Sequence, residues 1–259
     1  MPRVNYNEIA PLYDEPLRDH AVDPHLLAFF DSHPELVPAE ARILDIGCGT
    51  GKQLTANRDR FPDMTMVGVD AFAGMLHIAR QRGPQIVWVH GDGAVLPLHA
   101  DSVHYVCNQF SYHHMPVKEA MVYEVYRVLK PGGRFVVTNI DPWSMPNWLV
   151  YQSFPAARDI DQHDFLPLES FVAIMRAAGF VNVRAHREYH GTREVLQDFL
   201  AYASQRHRAS QYMALSDADY HAGLQRLAQA IAHAQGQPLV VDTEFCLVTV
   251  VGDKLAAKA

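Results

Sequence analysis

The residues with the most chemical content stand in ILDIGCGTGK, positions 43–52. Gly47, Gly49 and Gly51 alternate with Cys48 and Thr50 just after an apolar run that holds Asp45. Glycines in a turn between a strand and a helix let the backbone approach a ligand closely and adopt φ > 0. The amides of that turn, and of the helix it opens, then face whatever binds there. The spacing is G-x-G-x-G, whereas a dinucleotide pyrophosphate is seated by G-x-G-x-x-G, and the Lys-Ser/Thr of a phosphate-cradling loop is missing. Asp70 ends the next apolar run, and a carboxylate there can accept hydrogen bonds from both hydroxyls of a ribose. The following run closes on Gly91-Asp92-Gly93, which adds a carboxylate at the same edge. An acidic glycine loop with two further acids suits a ligand with a ribose, amino groups and positive charge, but no phosphates.

Residues at those positions converge only if several strands end at one edge. From residue 41 onward, short apolar runs alternate with helical patterns, as in a parallel sheet flanked by helices. The runs are ARILDIG (41–47), MTMVGVD (64–70), QIVWVHGD (85–92), SVHYVCNQF (102–110) and GRFVVTNI (133–140). Gly74 to Arg82 reads as a helix through Met75, Leu76 and Ile78, and Val117 to Leu129 through Met121, Val122, Val125 and Val128. Lys130-Pro131-Gly132-Gly133 stops the second helix and turns the chain into the next strand. Near-continuous hydrophobicity predicts central strands covered on both faces, hence a doubly wound α/β sheet.

Three stretches fall outside this alternation. Residues 1–40 contain a helix with Asp23 as N-cap, Pro24 at its first position and Leu26, Leu27 and Phe30 as its apolar stripe. Residues 141–167 are punctuated by proline and hold Trp143 and Trp148, which with Phe154 could either cap an apolar acceptor or pack as core. Residues 191–238 read as two helices, the second opening on a Ser216-x-x-Asp219 capping box. The run 240–252 is a strand again and is expected to pair with 180–189.

The 259 residues include 22 Lys plus Arg against 29 Asp plus Glu, a net charge of −7, which works against broad neutralisation of nucleic-acid phosphates. No apolar run approaches the roughly 18–20 residues that span a bilayer. The N-terminal MPRVNYNEIAPLYDE carries acids where a secretion signal needs an apolar stretch, and Cys48, Cys107 and Cys246 are scattered. A reduced, cytoplasmic chain is therefore expected. His186 and His190 are four apart on a strand-like segment, where that spacing builds no metal pair, so no metal is expected.

Taken together, ILDIGCGTGK, GVDAFAGMLHIAR, HGDGAVLPL, SVHYVCNQFSYHHM and YRVLKPGGRFVVT resemble, in order, the motifs of class I S-adenosylmethionine-dependent methyltransferases. The small-molecule type related to the ubiquinone/menaquinone-biosynthesis enzymes is the nearest in pattern. The resemblance implies one domain over 1–259 with a Rossmann-like sheet of seven strands, the last antiparallel. Residues 1–40 would be a helical lid, 41–140 the cofactor core, and 141–167 and 191–238 cap insertions over the acceptor pocket. It implies that Gly47, Cys48 and Gly49 line the methionine half of the cofactor, with Gly51 in the same cofactor-binding loop and Asp45 either orienting that loop or reaching the methionine amine through water. Asp70 and Ala71 would meet the ribose, Met75 the adenine face, and Asp92 with Gly93 the adenine edge. Asn108 would offer its carbonyl to the methionine amine, and Tyr13 would close the lid. The implied reaction is in-line attack of an acceptor nucleophile on the sulfonium methyl, leaving S-adenosylhomocysteine, with proximity and alignment supplying much of the acceleration. Tyr112, His113, His114 and Asp141 are the candidates for a general base where the nucleophile must lose a proton; packing or loop ordering is the other reading of the paired histidines.

The chain reads Asn108-Gln109-Phe110-Ser111 where amino-group methylases of adenine or glutamine carry Asn/Asp-Pro-Pro-aromatic. Neither a Pro-Cys nucleophile nor a double-acid arginine loop nor clustered thiols appear. A small organic acceptor is expected, without nucleic acid or membrane. Two other classes stay open: a cofactor-binding regulatory or scaffold module without methyl transfer, and a nicotinamide or nucleotide-sugar oxidoreductase, for which the glycine spacing is wrong.

Overall fold

A computed structural model describes residues 4–13, 20–234 and 237–256. Asp14 and Glu15, part of the expected lid, lie outside the described residues. In chain order the elements are α1 (Tyr6–Tyr13), α2 (Pro24–Asp31), β1 (Arg42–Ile46), α3 (Lys52–Arg60), β2 (Thr65–Asp70), α4 (Ala73–Arg82), β3 (Val87–His90) and β4 (Val103–Gln109). They continue with α5 (Lys118–Val128), β5 (Leu129–Ile140), α6 (Leu149–Ser153), α7 (Pro155–Asp164), α8 (Leu168–Ala177) and β6 (Val181–Val195). The last are α9 (Leu196–Ala203), α10 (Ser210–Ala214), α11 (Asp217–His233) and β7 (Val240–Asp253). The sheet order is β3-β2-β1-β4-β5-β7-β6, with β1 to β5 parallel. Strand β7 runs antiparallel to β5, since Lys254 bonds Gly133 at one end while Asp141 bonds Cys246 at the other.

The described residues divide into two compact units, 1–139 with 169–186 and 249–259, and 140–168 with 187–248. In the first, Ile43, Leu54, Met64, Leu76 and Tyr105 bury one face of the sheet against Leu26 and Phe29 of α2. Each such fully buried side chain contributes about 1.5–3 kcal/mol. Helix α2 starts as its sequence dictates: Asp23 Oδ1 accepts from the His25 amide at 2.9 Å. The other oxygen accepts from Tyr105 Oη–H at 2.7 Å, so the cap also docks the helix on β4.

The second unit packs Phe154, Tyr212, Tyr220, Leu196 and Leu227 around one core. Gly223 lets α11 lie directly on the Phe154 ring, which a Cβ there would overlap. Within this core Asp161 accepts from Tyr151 Oη–H (2.7 Å) and Gln211 Nε2–H (3.0 Å), and burial pushes its carboxyl up to about 6. Ser216 caps α11 by accepting from the Asp219 amide, as the capping box predicts.

Three sequence expectations are corrected. Strand β3 is an edge strand, not a central one, and Val87 is 52% exposed. The described residues of 191–238 hold three α-helices, α9, α10 and α11, rather than two, with β6 running on to Val195 before them and Arg206–Arg208 forming a 3₁₀ turn between α9 and α10. Lys130-Pro131-Gly132-Gly133 ends α5 but already belongs to β5, which begins at Leu129. Phe154 belongs to the second core, and Trp148 packs edge-on against Tyr151 at 4.8 Å.

Candidate active site

Strand β1 pairs with β2 on one side and β4 on the other, so the strand order reverses there and a crevice opens beyond the carboxyl ends. A cavity of about 430 Å³ occupies this edge, lined by the loops after β1, β2, β3 and β4 and by Tyr6 and Tyr13 of α1.

The loop after β1 explains its glycines. Gly47 and Gly49 sit at φ 72° and 54°, a region that side chains enter only with strain. A Cβ at Gly47 would overlap Cβ and Oγ of Ser111, whereas a Cβ at Gly49 would meet nothing within 4 Å. Gly47 therefore lets two loops cross, while Gly49 leaves its face open. The amides of Gly47 and Cys48 donate to the Val69 carbonyl at 2.7 and 3.2 Å, tying the loop to β2. Asp70 completes the tie: Oδ2 accepts from the Gly49 amide and Oδ1 from the Phe72 amide, both at 2.8 Å. Burial raises the Asp70 carboxyl above the usual carboxylate value, and these two amides oppose the rise. Asp92 is exposed and accepts from the Ala94 amide at 2.9 Å.

Beyond β4 the chain is pinned twice. Asn108 Nδ2 donates to the Ile46 carbonyl (2.9 Å) and to Ser111 Oγ (2.7 Å), and its Oδ1 accepts from the Tyr112 amide (3.0 Å). Ser111 Oγ–H donates in turn to Ile46 O at 3.0 Å. Two histidines follow with their ring centroids 3.8 Å apart. Asn139 Nδ2 can only donate, so its 3.1 Å bond makes His113 Nδ1 an acceptor and the ring neutral. Burial, then His114 and Lys118, hold His113 well below the ordinary histidine range. His114 Nε2 shares a 2.8 Å hydrogen bond with Tyr6 Oη, which joins α1 to this corner.

Of the residues expected from sequence, Gly47, Gly49, Asp70, Ala71, Met75, Asp92, Gly93, Tyr13 and His114 line the cavity. Asp45, Cys48, Gly51, Asn108, Tyr112 and His113 do not. Asp45 is buried under the loop, where desolvation pushes its carboxyl up to about 8 against the Cys107 thiol beside it. Gly51 faces Trp88, whose ring fills the space left by Gly51 and Gly68. The Asn108 side chain braces the β1 and β4 loops, and Tyr112 packs on Phe171 at 5.0 Å. Asp141 belongs to the second unit, where it accepts from Arg187 Nε at 2.6 Å and from Ser144 Oγ at 2.8 Å. Tyr6, Phe72, Phe110 and Met115 line the cavity without having been expected. Tyr6 was findable, since Tyr6, Ala10 and Tyr13 share one face at helical spacing; Phe110 gives no sequence signal.

The donor set has one chemical bias. Among the described residues, two carboxylates and no lysine or arginine line the cavity. Such a site disfavours phosphates and fits a cation with a ribose diol, the open Gly49 face leaving room for it.

Comparison with known proteins gives the same direction. A family model described as a methyltransferase domain matches residues 43–133. The demethylmenaquinone methyltransferase of Thermus thermophilus is 35% identical over 111 residues, 41% of this chain and 50% of that protein. The enzyme of the same name from Chlorobaculum tepidum is 28% identical over 208 residues, 68% of this chain and 82% of that protein. The chain thus spans about half the length of the first of these relatives. In fold it is similar to phosphoethanolamine N-methyltransferase 2 of Haemonchus contortus, solved with S-adenosyl-L-methionine. There the TM-score is 0.57 at 19% identity, covering 89% of this chain and 52% of that one.

Proposed function

We propose that the chain transfers a methyl group from S-adenosylmethionine to a small organic acceptor, leaving S-adenosylhomocysteine, a reading supported by the match of a methyltransferase-domain model to residues 43–133. The observation that carries the reading is the open face of Gly49 in a cavity with two carboxylates and no cationic side chain. Asp70 fixes the Gly49 and Phe72 amides and keeps oxygen lone pairs for the ribose hydroxyls. Met75 would pack on the adenine, Asp92 and Gly93 would meet its edge, and Gly47 to Gly49 would hold the methionine half. Asp45, Cys48, Gly51 and Asn108 act from beneath, by shaping the loops. When bound, S-adenosylmethionine supplies a methyl carbon activated by its sulfonium, and holding the acceptor in line can furnish most of the acceleration.

Where the acceptor must lose a proton, Tyr6 Oη can take it while passing its own to His114 Nε2, across their 2.8 Å hydrogen bond. His113, held neutral behind His114, keeps a second positive charge out of that corner. Acceptor selection is assigned to the loop after β4, which lines the cavity. The same reading places the chain in the cytoplasm, supported by three buried cysteines that are free thiols. No helix among the described residues is long and apolar enough to cross a membrane.

The test is incubation with methyl-tritiated S-adenosylmethionine and an acceptor panel of hydroquinols, phenols and amines, a reduced demethylnaphthoquinone among them. Acceptor-dependent transfer of tritium to the acceptor, with an equal amount of S-adenosylhomocysteine released, is expected. Cofactor binding without release on any acceptor would leave a binding module instead.

A further inference from the structure

Phe110 is placed in a way that its own chemistry resists. Its φ is 52°, in the left-handed region, where a bulky side chain is an outlier. Its neighbours compel this geometry. Asn108 and Ser111 are both bonded to the Ile46 carbonyl and to each other, and the Phe110 amide donates to Thr138 O at 2.9 Å. The turn between β4 and the histidine pair is over-determined, which is the condition under which a strained residue persists. Glycine or asparagine would occupy such a position at little cost. A phenylalanine stands there instead, 45% exposed, on the wall of the cavity, and no aromatic ring of the described residues stacks on it. Exposure, strain and a missing ring partner together indicate that the ring is kept for something that enters from outside.

Topology says which part of a ligand it meets. Asp70 and Asp92 stand at the tips of β2 and β3, on one side of β1, and Phe110 stands at the tip of β4, on the other. A cofactor whose ribose lies against Asp70 and whose amino-acid part follows the glycine loop carries its reactive methyl toward the β4 side. Gln109, Ser111, His114 and Pro116 also line the cavity at and beyond the end of β4, none of them a lysine or arginine, while Met115 reaches back to Gly93.

We infer that Phe110 is an acceptor-specificity residue: its ring forms a flat apolar wall at the methyl-bearing end of the cavity and selects acceptors that present a planar unsaturated face beside their nucleophile. The inference rests on the proposed methyl transfer and deepens it. Losing that wall removes ring contact from the acceptor and leaves the cofactor's own contacts in place.

The experiment uses the full chain with Phe110→Gly, Phe110→Leu and Phe110→Tyr. Each variant is measured for melting temperature, for S-adenosylhomocysteine affinity by calorimetry, and for turnover on a hydroquinol and on a small aliphatic amine. Phe110→Gly is expected to melt no lower than the parent, because glycine relieves the left-handed strain, and to bind S-adenosylhomocysteine with unchanged affinity. Its kcat/KM on the hydroquinol is expected to fall roughly 10- to 100-fold, with Phe110→Tyr restoring it and Phe110→Leu, which keeps the strain, intermediate. A hydroquinol kcat/KM unaffected by Phe110→Gly overturns the inference while leaving methyl transfer standing, as does equal loss of cofactor affinity or a preference of the parent for the amine. A parent that binds S-adenosylhomocysteine yet turns over neither probe overturns both.

Discussion

Substitution of the two glycines at the head of the loop separates shape from ligand space. Both have positive φ, 72° at Gly47 and 54° at Gly49, so alanine at either costs about 1 kcal/mol in backbone strain. At Gly49 nothing else is added, since a Cβ meets no atom within 4 Å. At Gly47 the new methyl must displace Ser111, which bonds Asn108 Nδ2 at 2.7 Å and Ile46 O at 3.0 Å. Each of those bonds is worth about 0.5–1.5 kcal/mol, so Gly47→Ala should lose about 2–4 kcal/mol in all. For a chain of this length that lowers the melting temperature by roughly 4–16 °C, against about 2–4 °C for Gly49→Ala. Affinity for S-adenosylhomocysteine should respond in its own way. The Gly49 methyl projects into the cavity and should weaken binding by about 2 kcal/mol, roughly thirtyfold. Adding Ser111→Gly to Gly47→Ala should return part of the lost stability. Thermal unfolding and calorimetric titration of the four proteins suffice. A Gly49→Ala protein that binds S-adenosylhomocysteine like its parent would refute the assignment of the open Gly49 face to the cofactor.

Other perturbations act through buried charge and packing. Asp45 has its folded-state pKa raised by burial to about 8, above its unfolded value. Its contribution to stability is therefore complete in acid and is lost as pH rises from about 4 through 8. Asp45→Asn should abolish that component, so the stability difference between parent and variant, followed by urea unfolding, should change steadily across this window; a pH-independent difference would contradict it. Gly223→Ala should cost about 1–3 kcal/mol by overlap with the Phe154 ring, and Phe154→Leu in the same chain should recover part of it in thermal melts. Arg187→Met should leave the buried Asp141 carboxylate with only its Ser144 and Trp143 hydrogen bonds and lower stability by about 1–3 kcal/mol, whereas Asp141→Asn with Arg187→Met should lose less.

Periodicity and punctuation made the parallel half of the sheet legible. The apolar runs 41–47, 64–70 and 102–110 became β1, β2 and β4, and Asp23 and Ser216 cap helices because their side chains can accept from amides two or three residues on. Position in the sheet was less legible, since an edge strand such as β3 can be as apolar as a central one when Trp88 fills the glycine slots beneath it. The extent of β6 was hidden because its burial pattern is mostly exposed and polar, with little apolar alternation to read. At the site, motif positions located Gly49, Asp70 and Met75 but could not separate residues that line the cavity from those that brace it. Asn108 and Asp45 brace, and only the hydrogen bonds reveal this. Phe110 was beyond reach for a simpler reason: nothing in a phenylalanine announces a left-handed backbone that its neighbours impose.

Calorimetric titration of S-adenosylhomocysteine into the parent and into Asp70→Ala tests most directly whether the crevice beyond β1 and β2 is a class I cofactor site. The parent should bind at one site and should give no heat with NAD. The variant, which loses the carboxylate that braces the Gly49 and Phe72 amides and faces the ribose, should bind about 1–3 kcal/mol more weakly. Equal affinity in the two proteins, or binding of NAD in place of S-adenosylhomocysteine, would contradict it.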